Sequence, residues 1–130
     1  MFETGDIVGC YAPTVGYRKY HLCICGPDQA NVGWFLFINS ENKFEPDFVL
    51  RNSDIPCIPE NDTGLSVISC SYVVRLNAVQ LTLYKAEKLG ELDSIHISNL
   101  SAFMNTSKAL PRPEKVFSVE KLSAKLNKPK

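Results

Sequence analysis

The sequence predicts a small, mainly β domain, a strongly curved β-barrel with helical additions. Short apolar segments separated by glycine, proline and asparagine turns fill the first two-thirds of the chain. Near residue 98 the spacing of apolar residues changes to that of a helix. The 130 residues, 45% hydrophobic and 22% charged, suit one core and are few for two domains. We expect a barrel domain over residues 1–110 and a basic extension over residues 111–130.

Three strands are predicted in the first third of the chain. Residues 7–12 follow a Gly-Asp pair, residues 20–25 end at a Gly-Pro pair, and residues 33–38 end in a polar loop. The second of these segments is apolar on both faces, which predicts a strand that is buried on both sides. The polar loop over residues 39–43 consists of turn-forming residues and is a candidate site.

The later strands are predicted from shorter or alternating patterns. Residues 48–50 form a short apolar run, and residues 66–74 form a longer one. Over residues 78–84, apolar and polar side chains alternate with period two, which predicts a further strand. The barrel would then contain about five to seven short strands.

Two helices are expected after the strands. Leu100, Phe103 and Met104 have helical spacing and predict a packing helix near residues 98–109, which would cover one opening of the barrel. In the C-terminal extension, the apolar stripe over residues 116–126 favours a short amphipathic helix.

The net charge of zero conceals an asymmetry. Residues 108–130 contain seven basic and two acidic side chains, so this segment carries +5 and residues 1–107 carry −5. A basic tail of this kind is either a solvated extension or an arm that binds nucleic acid. The sequence has no secretory signal and no apolar run near the roughly 18 residues of a membrane span, so we expect a cytoplasmic protein without membrane contact.

The cysteine and histidine residues are predicted to pack in the core. The five cysteines form no Cys-x-x-Cys pair, and most lie in apolar runs, as reduced core thiols do. His21, Cys23 and Cys25 alternate onto one face of a strand. Zinc needs about four converging ligands, and no second cluster completes this set, so we predict a packed histidine and no metal or other cofactor.

Four segments resemble the MazF/PemK-like toxins, taken in chain order. These are the opening Phe2-x-x-Gly5-Asp6 with its first strand, the basic entry and aliphatic strand over residues 19–25, the strand and Ser-containing loop over residues 36–40, and the Leu-Gly-Glu-Leu turn over residues 89–92. The resemblance covers most of residues 2–107. Where the family has Arg-Pro, this chain has Lys19–Tyr20, with Arg18 one place earlier.

The resemblance implies an SH3-like barrel that acts as the toxin of a type II toxin–antitoxin system. Such a toxin is a metal-independent, sequence-selective endoribonuclease that cleaves single-stranded RNA through the ribose 2′-hydroxyl. It also implies a homodimer and a separate cognate antitoxin that occupies the RNA groove.

Six residues are candidates for the site if the resemblance holds. The catalytic candidates are Arg18 as a phosphate clamp, Lys19 as an auxiliary cation and Ser40 as a hydroxyl that positions the phosphate. There are three candidates for RNA binding. Tyr17 lies near the start of the second strand, and Asn39 and Lys43 lie in the polar loop. Each motif taken alone is also typical of a solvated loop or an ordinary turn.

A second interpretation is a non-catalytic SH3-like barrel that binds a protein or nucleic-acid partner. It would use the loop over residues 13–19 and the basic tail, and the missing Arg-Pro favours it. The sequence has no phosphate-binding loop, no Gly-x-Ser-x-Gly elbow and no His-Glu-x-x-His pair, so the common nucleotidase, esterase and metalloprotease classes lose support.

Overall fold

A computed structural model describes residues 2–27, 31–41 and 47–127 of the chain. Within these ranges, seven strands form one curled antiparallel sheet, which is accompanied by three α-helices and a short 3-10 helix at Asn52–Asp54. The strands, in chain order, are β1 Asp6–Ala12, β2 Tyr17–Cys25, β3 Gly33–Asn39, β4 Phe48–Arg51, β5 Leu65–Ile68, β6 Val74–Leu76 and β7 Glu87–Glu91. The prediction of a mainly β fold with helical additions is confirmed.

The order of strands in the sheet is β4-β5-β3-β2-β1-β7, and β6 also pairs with β3. The first half of β3 pairs with β6, and its last two residues pair with β5. Strands β1, β2 and β3 are consecutive and antiparallel, so short loops connect them and they form the centre of the sheet. The exposed start of β2 therefore lies next to the end of β3.

The sheet is covered on both faces. Side chains on one face of the central strands, among them Leu22 and Leu36, belong to the larger core cluster, and those on the other face, among them Cys23 and Phe35, belong to a smaller one. The predicted burial of β2 on both sides is confirmed, because Leu22, Cys23, Ile24 and Cys25 are all fully buried. All five cysteines are free thiols and four of them are buried, as predicted for packed core side chains.

The segment predicted as a strand over residues 78–84 is a helix, α1 Ala78–Leu83. Asn77 and Gln80 form a capping box, in which each side chain accepts a hydrogen bond from the backbone N–H of the other. The alternating pattern was misleading because only Leu81 is buried, whereas Val79 and Leu83 are 75% and 69% exposed. The prediction of a strand was wrong because a local cap decided the conformation.

The long strand predicted over residues 66–74 is divided in two. β5 ends at Ile68 and β6 begins at Val74, and both pair with β3 at different points along its length. The chain leaves the sheet between them, where Cys70 donates its backbone N–H to Asp47 Oδ1 at 3.2 Å. The break lets one curled strand, β3, bind two short partners.

The helix predicted near residues 98–109 begins earlier and ends earlier, as α2 Ser94–Thr106. Its N-cap is Asp93, whose Oδ1 accepts the backbone N–H of His96 at 2.8 Å. The C-terminal helix is longer than predicted, α3 Arg112–Asn127. No helix in the described part of the chain has the length and apolar character needed to cross a membrane.

Helix α3 packs on α2 and on one face of the sheet, where it contacts β2 and β3. Leu122 is fully buried in the larger core cluster, and the rings of Phe117 and Trp34 have centroids 4.3 Å apart. Arg75 of β6 stacks over Trp34 at 4.7 Å and forms an ion pair with Glu114 at 3.1 Å. The C-terminal extension is therefore part of the packed structure as far as Asn127.

We expect Leu122→Ala to lower the free energy of unfolding by about 2 to 5 kcal/mol, because it leaves a cavity in the core. Val116→Ala on the same helix is the matched control, since Val116 is 51% exposed and the change should stay within about 0.5 kcal/mol. Urea denaturation followed by circular dichroism measures both. Equal stability of the two variants would show that α3 does not belong to the core.

Candidate functional site

A groove runs along the exposed start of β2. It consists of two adjoining cavities of about 220 and 420 Å³, which share Arg18, Lys19, Tyr20 and Pro59. We call it the β2 groove. Five of the six candidate residues line it: Tyr17, Arg18, Lys19, Asn39 and Ser40. The sixth, Lys43, lies outside the described residues.

Lys19 is held between aromatic rings and an amide. Its ammonium donates a hydrogen bond to Oδ1 of Asn39, on the neighbouring strand β3. Its Nζ also lies 5.0 Å from the centroid of the Phe37 ring and 5.9 Å from that of Tyr17. Burial lowers the pKa of Lys19 below its ordinary value, because water solvates the ammonium less well there. The side chain is therefore a positioned, partly desolvated cation.

Arg18 reaches in the opposite direction, across β1. Its Nη1 donates to the carbonyl oxygen of Lys85 at 3.1 Å, and its Nη2 pairs with Oε1 of Glu87 at 3.4 Å. Gly9 leaves room for this path, since a Cβ there would lie 3.2 Å from Nη2 of Arg18. The Arg18–Glu87 pair is about half-exposed on both sides, and pairs of this kind contribute only about 0 to 1 kcal/mol. A phosphate group can therefore replace Glu87 at little cost.

Ser40 lies at the open end of the β2 groove. Its side chain is exposed, and its hydroxyl has no hydrogen-bond partner in the described ranges. Its backbone carbonyl accepts a hydrogen bond from Oγ1 of Thr63. This contact joins the loop after β3 to the turn before β5, and it leaves the Ser40 hydroxyl available.

The far wall of the groove is built by a turn around Asn61. Oδ1 of Asn61 accepts the backbone N–H groups of Thr63 at 3.1 Å and Gly64 at 2.9 Å, and its Nδ2 donates to the carbonyl of Leu65 at 2.8 Å. The buried side chain of Asn52 anchors the turn by accepting the N–H of Asn61 at 3.1 Å. Four hydrogen bonds through the side chains of Asn52 and Asn61 therefore hold this wall, although it is a loop.

Several groove residues were not identified from the sequence. Glu87 pairs with a residue 69 positions earlier, and no local pattern predicts such a contact. Asn61 lies in a recognisable Asn-Asp-Thr-Gly turn, and that turn was the available signal. The hydrogen bond from Thr63 of this turn to the carbonyl of Ser40 depends on the pairing of β5 with β3.

His21 is a packed histidine, as predicted. It is 1% exposed, its ring lies 5.1 Å from that of Phe37, and its Nδ1 is 3.0 Å from the carbonyl oxygen of Lys19. Burial lowers the pKa of His21 to about 4, although hydrogen bonding to backbone carbonyls opposes this. Among the described residues, no group of three or more His, Cys, Asp or Glu side chains is placed to hold a metal ion.

The fold resembles that of a known solved structure. No protein-family model matches the chain, and no curated protein matches it in sequence. The chain is similar to one from the crystal structure of MazE-MazF (form III) from Deinococcus radiodurans, with a TM-score of 0.52 and 14% sequence identity. The similarity covers 97% of this chain and 92% of that one. At this identity the likeness establishes a shared fold.

We expect the stability of the protein to fall as the pH is lowered from about 6.5 to about 4. His21 has a pKa of about 4 in the folded protein and about 6.5 as a free group, so the unfolded chain binds more protons in this window. The loss from His21 amounts to about 3 kcal/mol at most.

His21→Phe isolates this contribution, because it keeps an aromatic ring and removes the titrating group. Urea denaturation at pH 7 and at pH 4.5 should show a smaller loss of stability in the variant than in the wild type. An identical loss in both proteins would mean that His21 does not titrate between these values.

Proposed function

We propose that this chain is the toxin of a type II toxin–antitoxin system and that it cleaves single-stranded RNA. The observation that carries the proposal is the convergence of five residues from two distant segments on the β2 groove. They were selected from a sequence resemblance to MazF/PemK-like toxins, and the shared fold with a chain of MazE-MazF supports that resemblance. Cleavage uses the ribose 2′-oxygen as the internal nucleophile and needs no cofactor.

The chemistry assigned to the groove is transesterification. The 2′-hydroxyl loses its proton to solvent water, its oxygen attacks the adjacent phosphorus, the bond to the 5′-oxygen breaks, and a 2′,3′-cyclic phosphate is left on one fragment. The step needs a cation for the charge that develops on the phosphorane oxygens and a proton for the departing 5′-oxygen. Lys19 supplies the cation, and its lowered pKa makes it a better proton donor than an ordinary lysine.

Arg18, Ser40 and Tyr17 act around Lys19. Arg18 clamps the phosphate after it exchanges the exposed carboxylate of Glu87 for phosphate oxygens. The unpaired hydroxyl of Ser40 donates to the same phosphate and positions it. Tyr17, which is 58% exposed, provides a stacking surface for an unpaired base. Asn39 fixes the ammonium of Lys19.

The proposal includes a homodimer and a cognate antitoxin in the cytoplasm. The similar solved structure is a MazE-MazF structure, and this chain shares its fold. Helix α1 presents Val79 and Leu83 on one face, both more than two-thirds exposed. Apolar side chains that adjoin on a surface are typical of an interface with another chain.

We expect Lys19→Met to lower the rate of RNA cleavage by about 100- to 1,000-fold, as loss of a group that stabilises transition-state charge does. Arg18→Ala should lower the rate by about tenfold or more, and Ser40→Ala by less. Purified proteins would be incubated with a long single-stranded RNA in EDTA, and the cut ends mapped.

Lys108→Met is the matched control, because Lys108 is exposed and lies outside the groove. It should cleave like the wild type, at the same short sequence and with cyclic or 3′-phosphate ends. Folded wild-type protein that cuts no RNA would exclude the ribonuclease and favour the non-catalytic binding barrel. Full activity of Lys19→Met would remove Lys19 from the mechanism.

We expect Leu83→Asp to convert a dimer into a monomer, because a carboxylate would be buried in the interface. Thr82→Asp adds the same charge at a neighbouring exposed position of α1 and is the control. Light scattering after size-exclusion chromatography gives the mass of each protein. A dimeric Leu83→Asp variant would place the interface away from α1.

A further inference from the structure

A third cavity is separate from the two that form the β2 groove. Its volume is about 190 Å³, and much of its wall is aromatic. The rings come from the end of β1, from β3, from the segment before β6 and from the residue after α1: Tyr11, Phe37, Tyr72 and Tyr84. We call it the aromatic cavity.

The aromatic cavity is open to solvent and suits a flat ring. Tyr11 and Tyr72 are 39% and 56% exposed, and the rings of Tyr11 and Tyr84 have centroids 6.0 Å apart. Several aromatic faces around one small space are a poor arrangement for water and a good one for stacking. Stacking on aromatic side chains is the usual way in which proteins hold an unpaired base.

His21 forms part of the wall and has an unsatisfied acceptor. Its Nδ1 faces the carbonyl oxygen of Lys19 at 3.0 Å, and the backbone carbonyl of Val8 also interacts with the ring. Because a carbonyl can only accept, and Nε2 has no hydrogen-bond partner among the described residues, Nδ1 carries the hydrogen. The other ring nitrogen, Nε2, then has a lone pair, and it is buried without a hydrogen-bond partner among the described residues. A buried acceptor of this kind costs stability until a donor reaches it.

Gln80 contributes a donor at the same cavity. Its Oε1 accepts the backbone N–H of Asn77 at 2.9 Å, which fixes the orientation of the amide. The amide nitrogen of Gln80 forms no hydrogen bond in the described part of the chain, so it can donate to a ligand. The aromatic cavity therefore offers one acceptor, one donor and stacking surfaces.

We propose that the aromatic cavity binds one unpaired nucleobase that bears an exocyclic amino group. The amino group donates to Nε2 of His21, an acceptor atom of the base receives the amide N–H of Gln80, and the base stacks on the tyrosine rings. The Phe37 ring that lines this cavity also lies 5.0 Å from Nζ of Lys19. The bound base would then belong to a nucleotide next to the cleaved phosphate, and this last step alone rests on the proposed function.

Nucleoside binding tests the proposal without RNA cleavage. The protein would be titrated with adenosine, inosine, cytidine and uridine, and the backbone amide signals of Thr14 and Gln80 followed by NMR. Adenosine should bind about three- to tenfold more tightly than inosine, and cytidine than uridine, as expected for one hydrogen bond. His21→Phe should abolish the difference in affinity within each pair, and Tyr72→Ala should lower the affinity for all four nucleosides.

Equal affinities within both pairs for the wild type, or no saturable shift with any nucleoside, would overturn the proposal. So would shifts at Thr14 and Gln80 that follow protein concentration alone, since a second copy of the chain would then occupy the cavity. Because Tyr72 is exposed, Tyr72→Ala remains a valid test if His21→Phe does not fold. Cleavage of RNA without nucleoside binding would refute only this inference, and binding without cleavage would refute only the proposed ribonuclease.

Discussion

The burial of the second half of β2 on both faces is the constraint on which the rest of the structure depends. From His21 to Cys25 every side chain is at most 1% exposed, with Leu22 and Ile24 in one core cluster and Cys23 in the other. A slip of one residue would exchange the two sets of side chains, so the register with β1 and β3 is fixed. The first half of the same strand leaves the core, and its direction is set by the buried half. Arg18 and Lys19 are therefore positioned by packing that lies several residues away.

The sequence was sufficient for the centre of the fold and insufficient for its edges. Strands β1 to β3 were predicted because each is a continuous apolar run that ends at glycine, proline or asparagine. A strand that is buried on both faces needs such a run, so its position can be found from the local sequence. Helix α1 was not predicted, because Val79, Leu81 and Leu83 alternate like a strand while the cap at Asn77 decides the conformation. An alternating pattern over six residues is weak evidence for a strand, and the capping box between residues three positions apart stabilises the helix instead.

In the candidate site, too, some features could be predicted from local sequence and others could not. Tyr17, Arg18 and Lys19 are adjacent in sequence, and Asn39 was a candidate from a separate segment of the same resemblance. The pairing of β3 with β2 brings the two segments together in the structure. The contact of Arg18 with Glu87 depends on β7 pairing with β1. Such contacts between distant segments follow from the sheet order, which a single sequence does not contain. The charge asymmetry of the tail was visible, but its outcome was not: α3 is held against β6 through Glu114, one of its two acidic residues.

The two basic residues of the β2 groove differ in how they hold their charge, and in the proposed reaction this difference would give them separate roles. Arg18 is half-exposed and already paired, so it exchanges one anion for another with little change in its own free energy. Lys19 is half-buried beside two rings, and its lowered pKa means that the protein destabilises its charged form. An arriving phosphodiester supplies the missing opposite charge and raises that pKa again, so binding of the anion and protonation of Lys19 favour each other. In the proposed reaction the departing 5′-oxygen is a much stronger base than a lysine amine, so Lys19 would pass its proton to it, and burial favours the neutral amine that remains. In the proposed reaction the arginine would therefore hold the phosphate, and the lysine would take part in the proton transfer.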